Sequence, residues 1–484
     1  MRSWVKSDYL KLVPILVLAF YMAFIPHQGY DYAVHLDEWL HWSYADELVS
    51  NGGTEDLTSP FSGRRPEWNQ SVELGFHMFL GIFQQITGLS WLVISKYFPA
   101  IIFMLAVLAV FVLARRLGFG WESALLTCLV PTTVGILGPG FLVPVALGVL
   151  IVPLSLFVAF NLRGWWSYLL LFLFNCFLVV SHGATAVSLV IILIPYILLN
   201  LRQELKHVIL LAMALAIPFL GPFPWMLRVV LNKMEIIFLT QTLPQYVGLP
   251  RSFAIYGYLP CILYAIGTFC LLWKGGPKRY GLVFGAVALM AMVITFVELH
   301  YGLALVFLRG FVHLQLMMGI VGGAGLWWLR TAELPSKLAS RLKSAFISRN
   351  FGNMVCLIII ILTLALTIPD RYDTSYYHMI DKRDYAAFVW ISENVDERYD
   401  KAILDPWKAT AFTAITGRKV YTRISKAPQQ SDRQAYKFLR ERCADTTFLK
   451  KGDISIVYTR GGCNNPDLVK VRENVYLIKI PTTR

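Results

Sequence analysis

Side chains that can carry out acid–base or ligand chemistry are concentrated in one stretch of this sequence, residues 26–89, which we call the first loop. His35, Asp37, Glu38 and His41 fall within seven residues of one another. Nine of the fifteen acidic residues that precede position 370 lie in the same stretch. Carboxylates and imidazoles can take up a proton, bind hydroxyl groups or hold a cation. Because the flanking sequence is apolar, the first loop predicts chemistry or ligand binding beside a membrane.

Asp37 and Glu38 stand at the start of a predicted helix. Apolar residues recur every four positions over 36–48, and Asn-Gly-Gly at 51–53 supplies a stop signal. A carboxylate in the first turn is stabilised by the helix dipole, so Asp37 could be a simple capping acid. The functional alternative is that Asp37 is a general base and that Glu38 modulates it or binds hydroxyl groups. Adjacent residues on a helix point in different directions, so the two carboxylates are expected to have different roles.

His35, Asp37 and His41 offer a second chemistry, the binding of a divalent metal. Asp37 and His41 are four residues apart, which places them on one helix face. His and Asp are suitable ligands for zinc or manganese. No strong metal motif such as HExxH accompanies them, so metal binding stays an open alternative here. Glu73 and His77 have the same spacing and are candidates for a supporting role, or simply a helix-start acid and an interfacial His.

Arg309 is the most informative ionisable residue within the apolar segments. An ionisable group in a membrane span is costly and is therefore a functional candidate, and a planar, permanently charged guanidinium suits a phosphate. The structural alternative is an Arg that extends its charged head to the interface. His313, His300 and His182 are weaker candidates for the same neighbourhood, the first for phosphate binding and the other two for support.

The composition identifies the chain as an integral membrane protein. Of its 484 residues, 56% are hydrophobic and 15% are charged, against about 25% charged in soluble domains. The net charge of +14 comes from Lys and Arg spread over short loops, which is unlike a nucleic-acid-binding patch. A membrane span needs about 20 apolar residues, and eleven segments qualify. They are 10–25, 90–114, 121–137, 141–160, 165–181, 184–201, 207–223, 253–273, 280–299, 303–329 and 353–369.

The distribution of Lys and Arg predicts a cytoplasmic N-terminus and places the first loop outside. The predicted first domain is 1–369, with an outer segment at 223–252. Residues 370–484 are predicted to form an extracytoplasmic α/β domain, with strands near 401–405, 419–422, 453–459 and 474–479. Cys443 and Cys463 lie in this domain, where a disulfide would be compatible with an oxidising compartment.

Four features together resemble the GT-C superfamily of membrane glycosyltransferases, which includes protein O-mannosyltransferases, aminoarabinose transferases and oligosaccharyltransferase subunits. The first is His-Leu-Asp-Glu-Trp at 35–39, and the second is Glu-Leu-Gly-Phe-His at 73–77. The third is Arg309 near the end of a late span. The fourth is the C-terminal domain with Tyr-Ala-Ala-Phe-Val-Trp-Ile-Ser-Glu-Asn at 385–394 and Thr-Gly-Arg at 416–418.

The resemblance implies transfer of a sugar from a polyprenyl phosphate, dolichyl or undecaprenyl, to an acceptor hydroxyl at the outer face, with inversion. By the same resemblance Asp37 would be the base or would bind acceptor or metal, and Arg309 would hold the lipid phosphate. The acceptor would be a protein, a glycan or a lipid. Oligosaccharyltransferase subunits carry a further acidic motif in the second outer loop, whereas this chain has Gly-Pro-Gly at 138–140. Within the resemblance, the departure argues against the metal-dependent oligosaccharyltransferase subgroup and favours a monophosphate-linked single-sugar donor with no obligatory cofactor.

Three other functions fit less of the sequence. A lipid-linked sugar flippase or transporter predicts repeat symmetry and charges deep in several spans, which are not visible. A polysaccharide polymerase or ligase predicts its large outer loop late in the membrane part. A non-catalytic binding platform built on the C-terminal domain would leave the acidic first loop without a purpose.

Overall fold

The computed structural model describes residues 2–53, 58–64, 73–131, 138–220, 248–299, 302, 307–332, 345–371, 378–424 and 428–479. His300 and most of the predicted outer segment 223–252 lie outside this part of the chain. The chain forms two compact units. The first, called the helical unit, comprises Met1–Gln28 and Tyr97–Ser375, and the second, called the α/β unit, comprises Gly29–Lys96 and Tyr376–Arg484.

Helices dominate the described residues, and five short strands lie near the C-terminus. In chain order the helices are α1 (Arg2–Phe24), α2 (Leu36–Ser50), α3 (Leu74–Thr87), α4 (Trp91–Arg115), α5 (Gly120–Thr127), α6 (Pro144–Asn161), α7 (Trp165–Ser181), α8 (Gly183–Asn200), α9 (Leu205–Leu220), α10 (Leu249–Tyr256), α11 (Tyr258–Lys274), α12 (Pro277–Leu299), α13 (Phe307–Thr331), α14 (Ala345–Thr367), α15 (Lys382–Asn394), α16 (Ala409–Thr416), α17 (Gln430–Arg440) and α18 (Thr446–Lys451). The strands are β1 (Lys401–Ile403), β2 (Lys419–Val420), β3 (Ile456–Tyr458), β4 (Leu468–Arg472) and β5 (Val475–Ile478).

Seven of the described helices are long and apolar enough to cross a membrane, or eight if α10 and α11, which meet at 94°, count as one span. Helices α7 and α9 are apolar but shorter. The expected count of eleven spans is therefore not confirmed. The clearest difference is the expected span 121–137, where α5 already ends at Thr127. Pro131 follows closely, and a proline disfavours helical conformation in the residue before it.

Small residues allow close helix packing in the helical unit. Gly148 on α6 faces Thr185 on α8, and a Cβ at Gly148 would lie 2.5 Å from the Thr185 hydroxyl oxygen. Helices α11 and α13 approach backbone to backbone at Gly267 and Gly325. In lipid, where apolar burial gives no driving force between helices, such close packing stabilises the bundle.

The α/β unit is built on a five-stranded sheet of order β2-β1-β3-β5-β4. Strand β1 is parallel to β2 and β3, and β5 is antiparallel to β3 and β4. Phe438, Leu449 and Val457 belong to the buried core beside this sheet. Cys443 and Cys463 form a disulfide at the same core. The prediction of a mainly helical membrane protein with a small C-terminal sheet is thus confirmed.

Part of the first loop is built into the α/β unit. The backbone N–H of Val420 in β2 donates to the Phe61 carbonyl at 3.0 Å, and the N–H of His378 donates to the Val34 carbonyl at 3.2 Å. Helix α2 also packs against α16. The sequence-based boundaries assigned the first loop to domain 1–369, whereas residues 29–96 pack with the C-terminal segment in the structure.

Candidate functional site

The start of α2 is closed by a reciprocal capping arrangement. The His35 imidazole Nδ1 accepts a hydrogen bond from the Asp37 N–H at 3.1 Å. The Glu38 carboxylate accepts from the N–H groups of Val34 at 2.7 Å and His35 at 3.0 Å. Since the first N–H groups of a helix have no partner within it, these contacts stabilise the turn before α2. Glu38 is fully buried, so its observed contacts are those of a positioning residue.

Asp37 differs from its neighbour in both exposure and contacts. Its side chain is 25% exposed, and one of its carboxylate oxygens lies 3.9 Å from Nδ1 of His35. The first-turn position adds the favourable field of the helix N-terminus. Asp37, unlike Glu38, is therefore reachable from solvent.

A layer of tryptophans fixes the orientation of α2. Trp39 stacks on Trp42 at 5.0 Å between ring centroids, and Trp42 stacks on Trp91 at 5.9 Å. The indole N–H of Trp91 donates to the Asp46 carboxylate at 3.2 Å, and that of Trp39 donates to the Ala33 carbonyl at 3.0 Å. Large aromatic surfaces contribute most of their stabilisation through burial, so α2 is held as a rigid element.

His41, Glu73 and His77 converge between α2 and α3. His41 Nδ1 lies 2.9 Å from His77 Nε2, and one ligand atom from each of the three residues lies within 4.8 Å of the others. Both imidazoles are buried, and Glu73, the residue before α3, is half-buried. Burial lowers the pKa of His77 to about 3, so its imidazole is neutral at physiological pH.

This cluster differs from the predicted metal set of His35, Asp37 and His41. Only His41 of those three belongs to a converging group of potential ligands in the described part of the chain, because His35 caps α2. Glu73 and His77, predicted to play a supporting role, lie together with His41. The donor set of two imidazoles and one carboxylate fits a divalent transition metal.

Arg309 and two histidines meet in the helical unit. His313 follows Arg309 by one turn on α13, and its Nε2 lies 2.8 Å from the Thr185 hydroxyl oxygen. The same hydroxyl lies 2.6 Å from Nδ1 of His182, the residue between α7 and α8. A hydroxyl donates one hydrogen bond, so at most one of the two imidazole nitrogens accepts from Thr185, and the other donates to it.

The Arg309 guanidinium acts electrostatically on both His182 and His313. It is half-buried, and no carboxylate pairs with it among the residues that the structure describes. A cation held beside two imidazoles without an acidic partner is suited to an anionic ligand. The sequence identified Arg309, His182 and His313 but missed Thr185. The one signal available was its position three residues after His182.

Neither a protein-family profile nor a curated protein matches this sequence. The fold is nevertheless shared with solved membrane enzymes. The oligosaccharyltransferase of Archaeoglobus fulgidus, solved with a tethered acceptor peptide, superposes with a TM-score of 0.59 at 12% identity, over 95% of this chain and 70% of that protein. The same enzyme has also been solved with Zn and sulfate, with a TM-score of 0.55 at 13% identity over 92% of this chain and 67% of that protein.

Two bacterial enzymes superpose along nearly the whole chain. ArnT from Cupriavidus metallidurans, solved with undecaprenyl phosphate, has a TM-score of 0.51 at 13% identity, covering 99% of this chain and 98% of ArnT. The arabinofuranosyltransferase AftD from Mycobacteria has a TM-score of 0.53 at 14% identity, covering 98% of this chain and 37% of AftD. All three proteins are GT-C glycosyltransferases. With its long apolar helices, this chain therefore shares the fold of these three enzymes.

Proposed function

We propose that this chain is a glycosyltransferase that moves a single sugar from a polyprenyl phosphate to an acceptor hydroxyl. The observation that carries the proposal is the partly exposed Asp37 carboxylate at the start of α2, on a fold shared with glycosyltransferases. The bound undecaprenyl phosphate of ArnT and the lack of an acid at 138–140 both favour a monophosphate carrier.

In the proposed reaction the acceptor oxygen forms a bond to the anomeric carbon as the bond from that carbon to the phosphate oxygen breaks. Asp37 takes the proton of the acceptor hydroxyl, and this direct displacement inverts the anomeric centre. Arg309 binds the lipid phosphate and stabilises the charge that develops on it as it leaves. His313 and His182, joined through Thr185, position this phosphate site. No step in this scheme needs a metal.

We further propose that the reaction takes place on the extracytoplasmic side. The Cys443–Cys463 disulfide supports this placement, because disulfides persist in oxidising compartments. The positive-inside distribution of Lys and Arg along the chain supports it independently.

The test uses the purified full-length chain in lipid nanodiscs with a panel of polyprenyl phosphates, each carrying one sugar, and with peptide, glycan and lipid acceptors. Release of polyprenyl phosphate reports turnover for any acceptor. Asp37→Asn is expected to lower kcat about 10²- to 10⁴-fold with donor binding retained. Arg309→Ala is expected to weaken donor binding by about 1.5–3 kcal/mol, roughly 10- to 150-fold.

Two matched variants control for the loss of charge alone. Asp31→Asn removes an exposed carboxylate of the α/β unit that pairs with Lys96, and Arg251→Ala removes an exposed cation on α10. Both are expected to behave like the wild type, with or without a chelator. Full turnover by Asp37→Asn would contradict the proposal. Donor lipid that crosses vesicle membranes without any sugar transfer would favour the transporter instead.

A further inference from the structure

We infer that His41, Glu73 and His77 form a binding site for a divalent transition metal, with Zn²⁺ the best-suited ion, and that this metal fastens α2 to α3. The inference does not depend on the proposed sugar transfer. It concerns three side chains to which the transfer assigns no part.

The separations of the ligand atoms are close to those of a tetrahedral site. Zinc binds imidazole nitrogen at about 2.0–2.1 Å, so two such nitrogens in a tetrahedral site lie about 3.3–3.4 Å apart. His41 Nδ1 and His77 Nε2 are 2.9 Å apart, and both rings would separate by a few tenths of an ångström on binding. A carboxylate oxygen of Glu73 lies within 4.8 Å of a ring nitrogen of each histidine, so the Glu73 side chain would have to move closer to complete the coordination sphere.

The elements that carry the ligands are already fixed in place. At Gly81, helix α3 lies directly against Val49 and the Ala45 carbonyl of α2, so the two helix backbones are in close contact. His41 comes from α2, His77 comes from the first turn of α3, and Glu73 is the residue just before α3. A metal that bridges them would cross-link two packed helices with little rearrangement.

The surroundings of the cluster are aromatic and largely closed to water. The Tyr44 ring stacks on His77 at 5.2 Å, and the Phe76 ring meets His41 edge-on at 5.1 Å. His41 and His77 are each less than 5% exposed. A dry shell strengthens the binding of a cation to its ligands, and two neutral imidazoles with one carboxylate are zinc ligands of the usual kinds.

One feature limits the expected affinity. With Nε2 of His77 on the metal, its N–H moves to Nδ1, which has no hydrogen-bond partner among the described residues. Partners of this kind are worth about 10–100-fold in metal affinity. The site is therefore expected to bind zinc more weakly than a fully supported structural site, and to exchange it with a strong chelator.

The experiment uses the full-length chain, purified in detergent without affinity metals and equilibrated with Zn²⁺, then passed over a desalting column. Inductively coupled plasma mass spectrometry counts the bound zinc, and X-ray absorption at the zinc edge reports its ligands. We expect close to one zinc per chain with two imidazole ligands. His77→Gln, His41→Asn and Glu73→Gln should each lower the zinc affinity by more than about tenfold.

His35→Asn is the matched control, because His35 lies six residues before His41 on the same segment but outside the cluster. It should retain the zinc. Glu73→Gln separates the loss of a metal ligand from the loss of the fold. Because Glu73 is half-buried and precedes its helix, this variant is expected to fold. Zinc should raise the Tm of the wild type and His35→Asn but not that of Glu73→Gln.

Two results would overturn the inference. One is a wild type that retains no more zinc than His41→Asn, in which case the two imidazoles simply share a hydrogen bond. The other is equal loss of zinc in His35→Asn and His77→Gln, which would place the ion elsewhere in the first loop.

Discussion

At the scale of single residues, two adjacent carboxylates have opposite environments. Glu38 is fully buried and accepts hydrogen bonds from two backbone N–H groups, whereas Asp37 is partly exposed and lies 3.9 Å from His35. Neighbouring residues on a helix point about 100° apart, so the two carboxylates meet different surroundings. The buried residue organises the chain before α2, and the other is reachable from solvent.

Glu38 yields a stability prediction. Glu38→Ala leaves the N–H groups of Val34 and His35 buried without an acceptor, at a cost of about 1–3 kcal/mol for each group. We expect a clearly lower Tm in a thermal unfolding assay of the full-length chain. Glu38→Gln keeps one acceptor oxygen, so its Tm should fall between those of the wild type and Glu38→Ala. Glu47→Ala, whose carboxylate accepts hydrogen bonds from the side chains of Asn51 and Thr58, should change the Tm little. An unchanged Tm in Glu38→Ala would contradict the capping role.

Some of this chemistry could be predicted from the sequence, and some could not. Asp37 and Arg309 were identified because a carboxylate beside a membrane and a cation inside one are both unusual. The capping role of Glu38 was not predicted, because the sequence analysis assigned Glu38 to the catalytic pair, although an acid three residues after the residue before a helix is a known capping pattern. The meeting of His41 with His77, and of His182 with His313, depends on tertiary packing between distant segments, for which one sequence carries no signal.

At the scale of elements, one hydroxyl joins α8 and α13. Thr185 contacts His182 at 2.6 Å and His313 at 2.8 Å, and Gly148 on α6 leaves room for it. Helices α8 and α13 are therefore tied at one buried polar point, against which α6 packs closely. Through Thr185, the uncharged start of α8 is linked to His313, one turn from Arg309 on α13.

Thr185→Val tests this tie because it keeps the shape of the side chain and removes the hydroxyl. Two buried imidazole nitrogens then lose their partner, and we expect a destabilisation of about 1–3 kcal/mol together with weaker donor binding. Thr185→Ser keeps the hydroxyl and should restore both properties. Thermal unfolding and a lipid-binding titration measure the two effects. Equal behaviour of the Val and Ser variants would rule out the polar tie.

The α/β unit provides a prediction about pH. Slight burial raises the pKa of the Asp381 carboxyl. The hydrogen bond from Arg460 and the N–H groups at the start of α15 outweigh this effect and lower the pKa to about 2. A lowered pKa means that this carboxylate stabilises the fold above about pH 4 and that the contribution disappears as the pH falls towards 2. Arg460→Gln should therefore move acid unfolding of this unit to higher pH.

Circular dichroism of the full-length chain between pH 2 and 5 measures this shift. Arg398→Gln is the control, because Arg398 pairs with Asp396 at 3.5 Å between two exposed side chains, and such pairs contribute little. Superimposable acid transitions of wild type and Arg460→Gln would refute the prediction.

Sequence patterns also account for most of the sheet. The expected strands near 401–405, 419–422, 453–459 and 474–479 correspond to β1, β2, β3 and β5. Strand β4 was missed although Leu-Val-Lys-Val-Arg alternates as a strand does, because it is mostly exposed and so lacks the buried apolar face that marks the other strands. The order of the strands depends on which edges pair in space, and the pattern of a single strand does not contain that information.

At the scale of the whole molecule, the disulfide predicts that the C-terminal segment lies on the extracytoplasmic side of the membrane. A variant whose five unpaired cysteines are replaced leaves Cys443 and Cys463 as the reporters. In intact cells, a membrane-impermeant maleimide should label this variant only after treatment with an impermeant reductant. Labelling that requires permeabilised cells would place the segment in the cytoplasm.

The same disulfide gives a stability prediction. Replacing both cysteines by Ser removes a cross-link between residues 20 positions apart. Loss of such a cross-link typically costs about 2–5 kcal/mol in a small domain. The α/β unit should therefore unfold at a lower denaturant concentration, while a Ser replacement at unpaired Cys176 in the helical unit should leave this transition in place. An unchanged midpoint in the double variant would contradict a stabilising role for the bond.

The pairing of Phe61 with Val420 has a consequence for the order of events at the ribosome. Residues 29–96 are synthesised early, but the strand and helices on which they pack come after residue 375. At about 5–20 residues per second, translation of the intervening segment takes on the order of 15–60 s. Throughout that interval α2 can pack on α3 but lacks its later partner α16, so this half of the unit completes its fold only when the C-terminal segment has been delivered.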